Sequence, residues 1–127
     1  MFTCVVLTLN RINALQQCVY ALINRSRYEN RIIVVDNGST DGSQEFVKGL
    51  KDMDVDLIQS DNSMGVIARN LGFEKATTQF IAQIDDDVVV QKNWDIPVHH
   101  FLAHGECEAV GVQGSFVCKD WSNFNEG

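Results

Sequence analysis

The sequence predicts an α/β fold, a mostly parallel sheet with helices on both faces. Three observations predict it. Short apolar runs alternate with stretches of helical periodicity from the first residues onward. The early runs are continuous and valine-rich, the pattern of strands buried on both faces. Polar, mostly short stretches follow the first, second and fourth runs, and in such a fold these loops gather at the carboxyl edge of the sheet.

Residues 3–9 (TCVVLTL) read as the first strand. Residues 10–13 are polar and can start a helix. Ile12, Leu15, Val19, Leu22 and Ile23 then recur at three- and four-residue steps, one apolar face of a helix ending near residues 24–26. Residues 31–35 (RIIVV) are the second strand, stopped by Asp36, Asn37, Gly38 and Ser39, which is turn chemistry. Asp41 with Gln44 three residues on has the spacing of a capping box, and Phe46, Val47 and Leu50 form the apolar face of the second helix.

Residues 55–59 are a third, weaker strand, and 60–64 a polar loop. Residues 65–76 read as a helix in which Ala68, Leu71 and Gly72 permit close packing. Residues 80–84 (FIAQI) are the fourth strand, 94–104 a helix, and 109–117 a fifth strand. The tail 118–127 has no clear pattern. The order is β-α-β-α-β-α-β-α-β, with right-handed crossovers expected.

The chain has 127 residues, enough for one domain with a real core. Its 10 basic and 17 acidic residues give a net charge of −7, which argues against nucleic acid as a partner. No apolar run is long enough for a membrane span. The first residues, MFTCVVLTLNR, lack the basic start and cleavage site of a signal peptide, so a cytoplasmic protein is expected. Cys4, Cys18, Cys107 and Cys118 have no metal-binding spacing and read as buried reduced thiols.

The fourth strand runs straight into Asp85, Asp86 and Asp87, with a second apolar run at 88–90. Adjacent carboxylates repel one another, and apolar flanks raise the cost of desolvating them. A hard divalent cation is the economical neutraliser, although a solvated acidic turn would give the same letters. The loops at 8–11, 36–39 and 85–87 should converge, and convergence makes a pocket the better reading. Asp36 and Asn37 can read a nucleobase edge or simply make a helix-entry turn. Arg69, in the middle of the third helix, can meet a diphosphate or one of the acids, or stand exposed. Beside a bound diphosphate, a cation would also stabilise the leaving phosphate. Asp87 is the first choice for it, with Asp85 sharing the metal or nearer the ribose. His100 and His104 form an i, i+4 pair without a third ligand, so a helical surface is the better reading there. Trp94 can stack on a sugar, but core packing is the stronger expectation.

At this point the chain resembles the donor-binding, N-terminal region of a family 2 glycosyltransferase. VVLTLNR, RIIVVDNGSTDGS, GVIARNLGFEKA, FIAQIDDDVVV and EAVGVQGSFV resemble that family's strand and helix motifs, in the family's order and over nearly the whole chain. The resemblance implies a Rossmann-like GT-A nucleotide-sugar-binding fold in truncated or minimal form, a single domain over residues 1–127. It implies a UDP, GDP or dTDP type of sugar donor, Mn²⁺ or Mg²⁺, and inverting transfer to an acceptor hydroxyl. The acceptor class (saccharide, lipid-linked or protein) is not readable. By position, Thr8, Asn10, Arg11, Asp36 and Asn37 would line the nucleoside pocket. Arg69 would lie near the donor, Asp85 near ribose, sugar or metal, Asp86 in the middle of the DxD motif, and Asp87 on the metal.

The chain departs from the family's pattern in three places. Leu9 stands where an aromatic residue often stacks on the base. Asn37 stands where many uridine-nucleotide users have a second Asp. The family's catalytic base lies well downstream of DxD, and neither Asp120 nor Glu126 sits in a base motif. The N-terminal part of a longer enzyme is therefore the simplest expectation. A small complete transferase and a non-catalytic nucleotide-sugar-binding module are the alternatives. A nucleotidyltransferase is disfavoured, because no Gly-rich phosphate loop with a lysine follows the first strand. A truncated domain would expose an apolar edge, which leaves room for homo-oligomers.

Overall fold

The computed structural model describes residues 2–105. The expected fifth strand, Cys107, Cys118, Asp120, Glu126 and the tail lie outside the described residues. Four strands, β1 (Phe2–Thr8), β2 (Arg31–Asp36), β3 (Val55–Gln59) and β4 (Phe80–Asp85), form one sheet in the order β3-β2-β1-β4, and every pairing is parallel. The α/β fold read from the sequence is the one observed. Strands β1 and β2 are buried nearly throughout, which is why they read as unbroken apolar runs. Strand β4 is half-exposed along its length.

Helices cover both faces. The stripe of α1 (Ile12–Arg25) buries Leu15, Cys18, Val19 and Leu22 against Cys4, Val6, Ile32 and Val34. On the same side, α2 (Ser43–Lys48) adds Val47. On the opposite face, α3 (Arg69–Lys75) and the turn before it bring Ala68, Leu71 and Phe73 onto Val5, Ile33 and Val35. The strand order explains the change of side. The chain steps outward from β1 to β2 to β3, then returns across the sheet to β4. Crossovers of one hand therefore place the returning helix on the other face.

Several details differ from the sequence-based expectation. The capping box of Asp41 and Gln44 does not form. Gly42, at φ 95°, takes the cap position of α2, and no side chain caps that helix. Asp41 instead accepts from the Ser43 N–H and hydroxyl, and its other oxygen accepts the Ile12 N–H at 2.9 Å. It thus satisfies a free donor at the start of α1, where a negative charge is also favoured by the helix dipole. Gln44 turns away to Asp36. Leu50 is buried but lies beyond the end of α2. The third helix opens as a 3-10 turn, Gly65–Ala68, so Arg69 is the first residue of α3 and not its middle.

Helix α4 (Asp95–Ala103) falls where expected. Trp94 packs against the core, with its ring near Phe2 and its indole N–H donating to the Ser26 hydroxyl, so it is not a sugar platform. The fully buried carboxylate of Asp95 accepts the N–H groups of Arg27 and Tyr28 and the Asn30 amide. It ties α4 to the loop before β2, and no motif announced it.

Gly72 is where α3 sits closest to the sheet. A Cβ there would lie 2.5 Å from a methyl of Val5 and 3.1 Å from one of Val35. Both valines are buried and stiff in χ1. Gly72→Ala is expected to lower the unfolding free energy by about 1–3 kcal/mol through overpacking, measured by urea denaturation. Alanine's better helix propensity works in the other direction by about 1 kcal/mol. A variant as stable as the parent would show that α3 can lift away without loss.

Candidate functional site

The strand registers bring three loops to one place. Thr8 is paired with Asp36, and Leu7 with Asp85, so β1, β2 and β4 end level. The Asn37 N–H continues the ladder by donating to the Thr8 carbonyl at 3.0 Å. The strand order reverses between β1 and β4, and the crevice beyond such a switch point is where open α/β sheets bind ligands. A cavity of about 340 Å³ opens there. Leu7, Thr8, Leu9, Arg11, Asn37, Arg69, Asp85, Asp86 and Asp87 line it.

The three adjacent carboxylates have three different environments. Asp85 is exposed and accepts from Arg69 Nη2 at 2.9 Å. Asp86 is 5% exposed, and both of its oxygens are engaged. One accepts the Thr8 hydroxyl at 2.9 Å and the other Arg11 Nη1 at 2.8 Å. Asp87 is exposed, with no basic partner among the described residues. The lining thus sets three carboxylates against two guanidinium groups and is net negative.

The second loop supplies the polar wall. Asp36 is fully buried and lies behind the cavity surface. Its Oδ2 accepts the N–H groups of Gly38 and Ser39 and the Gln44 amide. Gly38 has a positive φ of 101°, which lets the backbone curl around that oxygen. Asn37 donates its amide to the Gly65 carbonyl at 3.1 Å. That bond turns its Oδ1 the other way, and Asn37 Oδ1 and Asp36 Oδ1 are buried without a hydrogen-bond partner among the described residues.

Of the positions singled out in the sequence, Thr8, Arg11, Asn37, Arg69, Asp85, Asp86 and Asp87 meet at the cavity. Asn10 and Asp36 do not line it. Asn10 sits at φ 50°. Its backbone N–H donates to the Ser39 hydroxyl, and its side-chain oxygen accepts the Thr40 N–H at 2.7 Å. It fastens the first loop to the second. Leu7 is a lining residue that sequence reasoning missed, since a leucine inside a strand run gives no signal of a site. His100 on α4 and His104 just past its end have ring centroids 4.3 Å apart. No group of three metal-ligating side chains occurs among the described residues.

That last point bears on the cation. Asp85 and Asp87 are hard oxygen donors at the cavity wall, and Asp87 has no basic partner among the described residues. Two carboxylates do not make a closed metal cage. They suit an ion that keeps open positions for phosphate oxygens, the manner in which Mg²⁺ is commonly held. The donor set fits such an ion together with a phosphate ligand.

Burial raises the carboxyl pKa of Asp36, but hydrogen bonds from Ser39, Gln44 and the Gly38 N–H outweigh it, and the net shift is downward. A carboxyl whose folded pKa is depressed contributes stability above its unfolded value, and that contribution is lost as pH falls through the folded value. Thermal midpoints from about pH 6 down to about pH 2 should therefore fall more steeply for the parent than for Asp36→Asn. Parallel profiles would contradict the Asp36 turn as an acid-sensitive element.

Burial also pushes the Cys4 thiol up to about 12, with a smaller push from Asp95. The Cys18 thiol is pushed to about 12 by burial and then by Asp86, Cys4, Asp87 and Asp85. Thiolate is the reactive form. Iodoacetamide at about pH 8 should leave both unmodified in the folded protein and label them after denaturation, as mapped by mass spectrometry. Labelling of either in the folded state would show that the core opens.

Comparison with known proteins agrees with this fold. The family model for glycosyl transferase family 2 matches residues 3–126. An uncharacterized glycosyltransferase of Haemophilus influenzae is 30% identical over 113 residues, covering 81% of this chain and 45% of that protein. Glycosyltransferase GlyA of Streptococcus pneumoniae is 29% identical over 117 residues, covering 90% of this chain and 17% of that one. Crystallised S. aureus TarS 1–349 in complex with UDP-GlcNAc superposes with a TM-score of 0.74 at 19% identity, over 90% of this chain and 37% of that chain. The mannosyltransferase PcManGT of Pyrobaculum calidifontis, in complex with GDP-Man and Mn²⁺, gives 0.63 at 21% identity, over 74% and 29%. These likenesses show the GT-A fold. The chain spans less than half the length of each of these relatives. No helix among the described residues is long and apolar enough to cross a membrane.

Proposed function

Because this chain belongs to glycosyl transferase family 2, we propose that it builds the donor site of a glycosyltransferase. The reaction moves a sugar from a nucleotide-diphosphate sugar to an acceptor hydroxyl, with metal assistance and inversion. In this reading residues 1–127 act as a single nucleotide-sugar-binding domain. One observation carries the proposal. The ends of β1, β2 and β4 meet at a cavity in which Asp87, next to two arginine-bound acids, has no basic partner among the described residues. The UDP-GlcNAc and GDP-Man bound by proteins of the same fold support the ligand class.

The residues divide the work by what they have left to offer. Asn37 lines the nucleoside end of the cavity, held there by one of its two amide N–H groups, which donates to the Gly65 carbonyl. Asp36 holds the turn that carries Asn37. Leu7 and Leu9 supply the apolar wall for a flat ring. Arg69 and Arg11 face the diphosphate. Asp87, with Asp85, would hold Mn²⁺ or Mg²⁺. When bound, that cation would neutralise the carboxylates and the charge on the departing diphosphate. None of the described lining residues is assigned as the base that deprotonates the acceptor.

Calorimetric titration of UDP, GDP and dTDP, each with and without Mn²⁺, tests this reading. One nucleotide is expected to bind in a metal-dependent way. Asp87→Ala should weaken that binding at least tenfold, about 1.4 kcal/mol, while leaving the fold intact by circular dichroism. A folded parent protein that binds none of the three would sink the donor-site assignment.

A further inference from the structure

Asp86 stands apart from its neighbours. It occupies the middle of the acid triplet, yet it is the one that is buried, and each of its oxygens already accepts a hydrogen bond from the first loop. Its partners both belong to the first loop. Thr8 ends β1, and Arg11 is the residue from which α1 starts. Two points of Arg11 are fixed. Its carbonyl accepts the Leu15 N–H at 2.9 Å, and its guanidinium is held by Asp86. Even so, the Arg11 side chain is 55% exposed and lines the cavity. A guanidinium has five N–H donors. One of them reaches Asp86, so others remain for an anion in the cavity.

We infer that Asp86 is a positioning residue. It holds Arg11 at the cavity so that the guanidinium meets the diphosphate of the donor, and it touches neither the nucleotide nor the metal itself. This rests on the donor-site reading above. A half-exposed arginine is otherwise free to sample many rotamers, and a ligand that uses it must bear the cost of ordering it. The buried carboxylate bears that cost beforehand, and the Thr8 hydroxyl keeps the carboxylate itself oriented. Asp85 and Asp87, both exposed, are left to meet a cation.

A double-mutant cycle on nucleotide affinity tests the inference. The probes are UDP, GDP and dTDP with Mn²⁺, and the variants are Asp86→Asn, Arg11→Ala and the pair together. Asp86→Asn keeps the shape of the side chain and an acceptor for Thr8. Each single change is expected to weaken the nucleotide that the parent binds by roughly tenfold, within the range for coupled contacting residues. The double variant should be no weaker than Arg11→Ala. Arg11→Ala should flatten the salt dependence of affinity, since it removes a cation from the cavity. Mn²⁺ binding without nucleotide, read by electron paramagnetic resonance, should be unchanged in Asp86→Asn.

Additive losses in the cycle would overturn the inference, as would weakened Mn²⁺ binding in Asp86→Asn. If Asp86→Asn does not fold, Arg11→Gln decides, because it can still hydrogen-bond Asp86 but carries no charge. An unchanged nucleotide affinity in Arg11→Gln overturns the inference. A tenfold loss in Arg11→Gln together with undiminished Mn²⁺ binding supports it. A parent protein that binds no nucleotide removes the donor-site reading, and the inference falls with it. A parent that binds and a cycle that is additive remove the inference alone.

Discussion

Three carboxylates in a row at the end of a strand repel one another, and the carboxyl edge of this sheet is arranged around that repulsion. The backbone cannot separate them, so the neighbouring loops treat each differently. Asp86 turns inward and is neutralised by Arg11 and hydrogen-bonded by Thr8. Asp85 turns outward and is met by Arg69 from the first residue of α3. Asp87 is exposed and has no basic partner among the described residues. A buried carboxylate without such partners would be costly by several kcal/mol, so the first loop and α3 are part of what permits the triplet at all. The exposed Asp85–Arg69 pair is worth little by itself. Its significance is positional, since it draws an arginine and a carboxylate to the same rim.

The sheet makes this arrangement possible through level strand ends and one reversal of order. Parallel pairing from Thr3 with Arg31 through Thr8 with Asp36, and from Phe2 with Phe80 through Leu7 with Asp85, keeps the strand ends level to within one residue. The loops are then tied sideways. Asn10 bonds the Thr40 N–H, Ser39 bonds the Asn10 N–H, and Asp41 bonds the Ile12 N–H. Three side chains stitch the first loop to the second with hydrogen bonds to main-chain groups. Such a frame constrains the positions of Thr8 and Asn37 more tightly than loop sequence alone would. Beneath it, the valine-rich interior of β1 and β2 provides a closely packed base.

Much of this was legible in the sequence because the signals were redundant. A continuous apolar run such as CVVL, followed by a 3.6-residue stripe and another run such as IIVV, specifies a buried parallel unit in several ways at once. Gly72 was readable as a close approach because small residues recur on that part of the helix. The rest depended on partners distant in sequence. Whether Asp41 caps the helix after it or the helix before it is decided by Gly42, whose left-handed backbone moves the helix start past Asp41's reach as a box. Asn10 and Asp36 matched motif positions, yet their side chains face the scaffold: Asn10 accepts the Thr40 N–H from the second loop, and Asp36 accepts the Gly38 and Ser39 N–H groups of its own turn. Asp95 had no motif at all. Its role comes from two N–H groups of the loop before β2, nearly seventy residues earlier in the chain.

On the proposed reading, the charge balance of the cavity has a thermodynamic consequence. With three aspartates and two arginines in the lining, a diphosphate entering alone would add negative charge to a wall that is already negative. A cation entering alone would find Asp87 but would have to compete with Arg69 for Asp85. Together they remove each other's difficulty. The cation would offset the diphosphate, and the diphosphate would offer Arg69 another partner in place of Asp85. Each ligand therefore raises the affinity of the other, and by linkage the enhancement is equal in both directions. Arg11 takes no part in that exchange, because its hold on Asp86 is buried at the acid end. On that reading one arginine of the pair would move between partners while the other stays fixed, and the difference would follow from which carboxylate of the triplet each one meets.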